Sequence, residues 1–203
     1  MLDRFLRPLI DPPLNALGRF LAGAGITANT VTGAGLVFSA AAGVTIALGA
    51  YGVGLVLVLA SRLTDGLDGA VARATRPTDW GGYADIVADF AFYGGIPLAF
   101  AWADPAAAWP AVVLLAAFYL NAASFLGYAV LAEKRGMVTK ARGRKAWYHA
   151  GGLMEGSETI AFFVAFCLWP QAFAPLAYAF ALLTAVTAVA RVIQARRDFP
   201  DQG

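Results

Sequence analysis

Apolar residues run through this chain in six stretches, near residues 30–50, 52–74, 84–102, 110–132, 153–169 and 173–193. Each is close to the ~17–25 residues that a helix needs to cross ~30 Å of hydrocarbon, the fifth being the shortest. The breaks near residues 49–54, at Asp104-Pro105 and from Trp169-Pro170 to Pro175 read as tight turns. The pattern predicts an all-α membrane protein of six transmembrane helices. Ahead of them, Leu2, Phe5, Leu6, Leu9 and Ile10 recur at helical spacing with Asp3, Arg4 and Arg7 between them. Pro12-Pro13 is expected to break that run, and Leu14, Leu17, Phe20 and Leu21 continue it. The segment reads either as an amphipathic helix in the headgroup layer or as a simple juxtamembrane leader. The expected organisation is an interfacial segment over 1–24, a membrane domain over 25–198 and a tail over 199–203.

Composition agrees: 60% of the 203 residues are hydrophobic and 14% charged, against about 25% charged in soluble domains. One cysteine, Cys167, in an apolar run excludes a disulfide framework and a thiolate metal site. No signal peptide is expected, because no continuous apolar core follows the first basic residues. The charge distribution adds topology. With six alternating spans, all fifteen Lys and Arg fall on one side, and the loops near 49–53, 103–109 and 169–174 carry none. This positive-inside pattern places both termini in the cytoplasm. The basic groups lie against the bilayer, which argues against nucleic-acid binding.

Four aspartates stand out in this apolar setting. Asp65 and Asp68 lie towards the cytoplasmic end of the second span, and Asp85 and Asp89 near the cytoplasmic start of the third. Acids at membrane depth cost roughly 2.5–3.5 kcal/mol each on insertion scales, so four need compensating positive charge. Spacings of three and four place each pair on one helix face. The short connection near residues 74–80 predicts an antiparallel hairpin in which the two acidic faces meet at one depth. Gly66, Gly69, Gly81 and Gly82 would let helices or a ligand approach there.

Three readings compete. The acids could be structural partners of Arg62 and Arg73. They could line a proton or cation path, although such a path should carry polar groups through the whole bilayer, whereas these cluster at one end. Or they could hold divalent cations for phosphoryl chemistry, since acid-only sets suit hard, oxygen-liganded ions. The last reading accounts for the side, depth, count and glycines together.

The string Asp65-Gly-Leu-Asp68-Gly69-Ala-Val-Ala72-Arg73, followed by Gly81, Asp85 and Asp89 at intervals of four, closely resembles the motif of the CDP-alcohol phosphotransferases, DxxDGxxAR…GxxxDxxxD. Seven residues separate Arg73 from Gly81 where the family usually has eight, a difference expected to alter the turn. Gly25-Ile-Thr-Ala-Asn-Thr-Val-Thr32 is similar to the family's P-N-x-x-T stretch, with Ala28 where proline is usual. The resemblance extends over most of the chain and implies transfer of a phosphatidyl group from a CDP-linked lipid to a small alcohol, with release of CMP, in phospholipid synthesis. It implies that Asp65, Asp68, Asp85 and Asp89 hold two Mg²⁺ or Mn²⁺ ions and that Asp89 is the general base. Asn29, Thr32, Gly69, Ala72 and Arg73, with Asp65 and Asp68, would line the nucleotide. A homodimer in the bacterial inner membrane, its site cytoplasmic, is the implied setting. The non-enzymatic alternative is a cation-dependent transporter or lipid-binding membrane protein.

The acceptor is less defined. Lys134, Arg135, Lys140, Arg142, Arg144 and Lys145, followed by Trp147, Tyr148 and His149, fill the connection between the fourth and fifth spans. Lys140, Arg142 and Arg144, with Arg191, are candidates for an anionic acceptor. Orientation and acidic-lipid binding explain the same charges. Glu155 and Glu158 at the start of the fifth span read either as helix-end acids or as an acceptor pocket for a polyol or amine. The Glu155 segment resembles a short bacterial inner-membrane branch of the family, which leaves the alcohol open.

Overall fold

The computed structural model describes residues 3–137, 154 and 156–200, with side chains from residue 7 onward. The described residues form seven helices: α1 (Asp3–Gly23), α2 (Ala28–Ala47), α3 (Tyr51–Ala74), α4 (Asp79–Ala103), α5 (Ala108–Lys134), α6 (Gly156–Leu168) and α7 (Phe173–Asp198). Short 3-10 turns, Pro105–Ala107 and Pro170–Ala172, lead into α5 and α7. No strand occurs among the described residues. The six apolar stretches therefore correspond to α2 through α7.

Among the described residues, four helical segments are long and apolar enough to cross a membrane: Ala28–Ala47, Asp79–Ala103, Pro105–Lys134 and Pro170–Asp198. The other two expected spans differ for separate reasons. Helix α3 has 24 residues, about 36 Å at 1.5 Å per residue, but carries Arg62, Asp65, Asp68 and Arg73. Helix α6 has 13 described residues, Gly156–Leu168, a rise of about 20 Å.

Two turns follow from local chemistry. Gly49, at φ +77°, reverses the chain between α2 and α3, a conformation glycine adopts without steric cost. Thr78 caps α4 by accepting the Gly81 amide at 3.0 Å. The cap starts α4 at Asp79 and confines the connection to residues 75–78, shorter than the sequence pattern suggests.

Pro12-Pro13 does not break α1: the helix runs unbroken through Pro8, Pro12 and Pro13. Proline's φ near −65° is compatible with a helix, and each ring removes one donor. Packing against α3 compensates. A Cβ on Gly18 would lie 2.7 Å from the Ala70 Cβ, so the two backbones meet there. Leu14, Leu21 and Ala22 close over Val31, Leu67, Ala70 and Val71. A second apolar stripe of α1, Leu9, Ile10, Leu17 and Phe20, stays exposed.

The bundle has two unlike ends. At one, Phe92 of α4, Phe163 and Phe166 of α6 and Phe180 of α7 are fully buried. Phe92 and Phe163 meet edge-on at 5.2 Å, and Phe162 stacks on Phe180 at 4.5 Å. Such ring pairs add to the effect of burial. At the other end, α2 lies closely along both α3 and α4. The expected hairpin is therefore not a tight α3–α4 pair; the two helices meet through polar side chains. Gly35 makes the α2–α3 approach possible: a Cβ there would stand 2.9 Å from Thr64 Oγ1, and Ser61 Oγ donates to the Gly35 carbonyl at 3.2 Å. Phe199, at the start of the expected C-terminal tail, is buried with its ring 5.0 Å from that of Tyr128, and Arg135 donates to the Pro200 carbonyl at 3.1 Å.

Gly18→Val is expected to lower stability by about 1–3 kcal/mol through overpacking, whereas Gly33→Val, with nothing within 4 Å of its Cβ, should change little. Thermal unfolding in detergent distinguishes them; equal melting temperatures would mean that α1 is not docked on α3.

Candidate metal and nucleotide site

The carboxylates sit where α3 and α4 face each other across α2. One oxygen from each of Asp65, Asp85 and Asp89 can be chosen so that all lie within 4.8 Å of one another. All three residues are half-buried. The donor set is all oxygen and anionic, which fits a hard divalent cation. Asp68 stands apart from this trio. It is buried, at 5% exposure, and its Oδ2 accepts the Thr32 hydroxyl of α2 at 2.6 Å.

A cation of the chain itself joins the cluster. Arg62 Nη1 donates to Asp89 Oδ1 at 2.8 Å and lies 3.7 Å from Asp65 Oδ2. Its Nη2 donates to Ser61 Oγ at 3.3 Å, and the guanidinium carbon sits 3.8 Å above the Phe92 ring. Asp89 and Phe92, three apart, share a face of α4 and grip the same group. Thr32, Gly35, Leu36, Ser39, Ser61, Arg62, Asp65, Asp68 and Ala88 line one cleft between α2, α3 and α4.

Of the expected nucleotide-lining residues, Thr32, Asp65 and Asp68 line this cleft. Asn29 lies at the first turn of α2, its Oδ1 3.2 Å from where a Cβ on Gly81 would be. Gly81 thus lets α2's start meet α4's start. Gly66 accommodates Leu14 of α1, and a Cβ on Gly69 would come 3.2 Å from Arg73 Nη1. Of these glycines, Gly66 serves helix approach, and Gly82 faces open space. Ala72 is half-buried. The Arg73 Nε and Nη2 donate to Asn15 Oδ1 of α1 at 3.3 and 2.9 Å. The structural pairing expected of Arg62 is present, and Arg73 is held by the amide oxygen of Asn15.

Among the acceptor candidates, Lys140, Arg142, Arg144 and Glu155 lie outside the described residues. Glu158 is half-buried in the first turn of α6. Arg191 of α7 is held by α5: Nη1 donates to Asn121 Oδ1 at 2.8 Å and Ser124 Oγ at 2.9 Å, and the guanidinium lies 5.4 Å from the Phe125 ring centre. Sequence reading did not foresee Asn15 or Asn121, which are single polar residues with no motif around them. Thr78 carried a signal, a threonine directly before an acidic first turn, the side chain preferred at a helix N-cap.

Fold and site together define an all-helical membrane-type bundle with a cluster of carboxylates that could hold a cation. A family model of CDP-alcohol phosphatidyltransferase matches residues 25–193. The inner membrane protein YnjF of Escherichia coli (strain K12) is 43% identical over 197 residues, covering 95% of this chain and 94% of that protein. The fold is shared with the crystal structure of Mycobacterium tuberculosis phosphatidylinositol phosphate synthase (PgsA1) with CDP-DAG bound, at a TM-score of 0.68 and 22% identity, covering 90% of this chain and 93% of that one. The chain belongs to the CDP-alcohol phosphatidyltransferase family, and is at that level a transferase.

Thr32→Val is expected to destabilise the protein by about 1–3 kcal/mol, because a buried carboxylate loses a hydroxyl donor; Thr32→Ser should restore it. Chemical denaturation in detergent measures both, and a valine variant as stable as the parent would show the contact to be immaterial.

Proposed function

We propose that this protein transfers a phosphatidyl group from a CDP-linked lipid, such as CDP-diacylglycerol, to the hydroxyl of a small alcohol and releases CMP. The observation that carries the reading is the convergence of Asp65, Asp85 and Asp89 within 4.8 Å, inside a motif of this family. The CDP-DAG named with the related fold supports the donor.

Asp65, Asp85 and Asp89, with Asp68 beside them, would hold two Mg²⁺ or Mn²⁺ ions. Bound there, such ions would withdraw charge from the diphosphate and acidify the acceptor hydroxyl. Asp89 is the base: it takes the hydroxyl proton, the alcohol oxygen attacks the lipid-linked phosphorus, and the phosphorus–oxygen bond to CMP breaks. Thr32 orients Asp68 through the 2.6 Å hydrogen bond. Asn29, Thr32, Gly69, Ala72 and Arg73 line the nucleotide with Asp65 and Asp68. Because Arg73 is anchored by Asn15, α1 would act as one wall of the nucleotide site. Lys140, Arg142, Arg144, Glu155, Glu158 and Arg191 are the acceptor-side candidates.

The setting belongs to the same proposal. Helices α2 to α7 make six spans, α1 lies in the interface with Leu9, Ile10, Leu17 and Phe20 in lipid, and residues 25–198 form the membrane domain. The one-sided distribution of basic residues supports a cytoplasmic position for both termini and the site in a bacterial inner membrane, and the protein works as a homodimer.

Purified protein, Mg²⁺ or Mn²⁺, CDP-diacylglycerol and a panel of alcohols should give metal-dependent CMP release with at least one acceptor. Absence of release with all of them, together with absence of nucleotide binding, would remove the enzyme reading in favour of a cation-dependent transporter. Asp89→Asn should lower turnover by at least about 100-fold, as loss of a general base does, while CDP binding survives; near-normal turnover would show that Asp89 is not the base.

A further inference from the structure

Arg62 lies outside the eight motif positions, yet it is built into the cluster more firmly than a surface ion pair. Its side chain is 9% exposed. Nη1 reaches across from α3 to Asp89 of α4, Nη2 reaches Ser61, and the guanidinium carbon lies over Phe92, 3.8 Å from the ring centre. Tyr93, the next residue of α4, adds a second ring at 5.8 Å. Nε is buried and has no hydrogen-bond partner, so stacking and the two carboxylates, more than a full set of hydrogen bonds, hold the group. The same two carboxylates, Asp89 and Asp65, belong to the oxygen trio that fits a divalent cation.

We propose that Arg62 is a fixed internal cation that sets how tightly the aspartate cluster binds its divalent ion. This inference rests on the metal-site reading above. Two physical effects carry it. Nη1 competes with a metal for Asp89 Oδ1, the oxygen it already holds at 2.8 Å. A permanent positive charge a few ångströms from the trio also repels a second cation, more strongly in a half-buried site than in water. The consequence is a cluster tuned towards weaker metal binding, with positive charge retained beside it for an anionic diphosphate. Arg62 is thus a positioning residue acting through Asp89 and Asp65, and its effect is on metal affinity ahead of the chemical step.

The experiment is Mn²⁺ binding to the full-length purified protein in detergent, with free Mn²⁺ read by electron paramagnetic resonance. Arg62→Gln should bind Mn²⁺ at least roughly tenfold more tightly than the parent, while its melting temperature falls in chelator and is restored by Mn²⁺ more than the parent's is. Arg62→Lys keeps the charge but loses the ring contact and the second nitrogen, so its dissociation constant should lie between the two; it also decides the matter if the glutamine variant does not fold. An affinity in R62Q and R62K equal to or weaker than the parent's would overturn the inference and leave the metal site standing, provided that Asp85→Asn weakens Mn²⁺ binding in the same assay. A parent protein that binds no Mn²⁺ would overturn both.

Discussion

Mutual repulsion among the aspartates is the constraint on which the rest of the structure depends. Three carboxylates with oxygens within 4.8 Å of one another, and a fourth buried nearby, are unfavourable in an apolar bundle unless positive charge or strong donors meet them. The chain answers from three helices. Arg62 bridges Asp89 and Asp65, Thr32 of α2 donates to Asp68, and a divalent cation would take up what remains. Helix α2 lies along both α3 and α4, and a cleft lined by Thr32, Arg62, Asp65, Asp68 and Ala88 remains between the three helices. The small residues have their purpose here: Gly35 admits Thr64, Gly81 admits Asn29, and Gly18 brings α1 onto α3 behind the motif.

The opposite end of the bundle is built on different physics. Phe92, Phe163, Phe166 and Phe180 are fully buried and linked by ring contacts, Phe92 to Phe163 and Phe180 to both Phe163 and Phe166, giving α4, α6 and α7 a stiff common core. Phe92 belongs to both worlds, packing on Phe163 while stacking under Arg62. The rigid end can therefore hold Asp89, one turn away on the same helix, in register with α3. Meanwhile Val37, Val44, Leu48, Val56, Leu120, Val130, Leu182 and Val189 are exposed, an outer surface suited to hydrocarbon and not to water.

Hydropathy made the helices legible, because a span must be long and apolar whatever its neighbours are. Where neighbours decide, the pattern was less informative. Pro12 and Pro13 looked like a break, yet docking of Leu14 and Gly18 on α3 keeps α1 continuous. Phe199 looked like part of a tail, yet Tyr128 and Arg135 hold it. The motif spacing foretold the acidic cluster but not its division. Residues four apart differ by only about 40° around a helix and those three apart by about 60°. Asp85 and Asp89 accordingly stay together, while Asp68 turns from Asp65 towards Thr32 of α2. Arg62 was visible as a charge three residues before Asp65. That it would choose Asp89 depended on how α4 packs, which no local spacing encodes. The basic segment expected to meet the acceptor, Lys140, Arg142, Arg144 and Glu155, lies outside the described residues.

The central claim is that one carboxylate-bound cation touches the diphosphate of a CDP-linked lipid. Pulsed electron–nuclear resonance on Mn²⁺-loaded protein measures this contact directly. Adding CDP-diacylglycerol should produce a phosphorus hyperfine coupling of an inner-sphere Mn–O–P contact, and the coupling should vanish in Asp65→Asn. A Mn²⁺ spectrum unchanged by saturating CDP-diacylglycerol would contradict the claim.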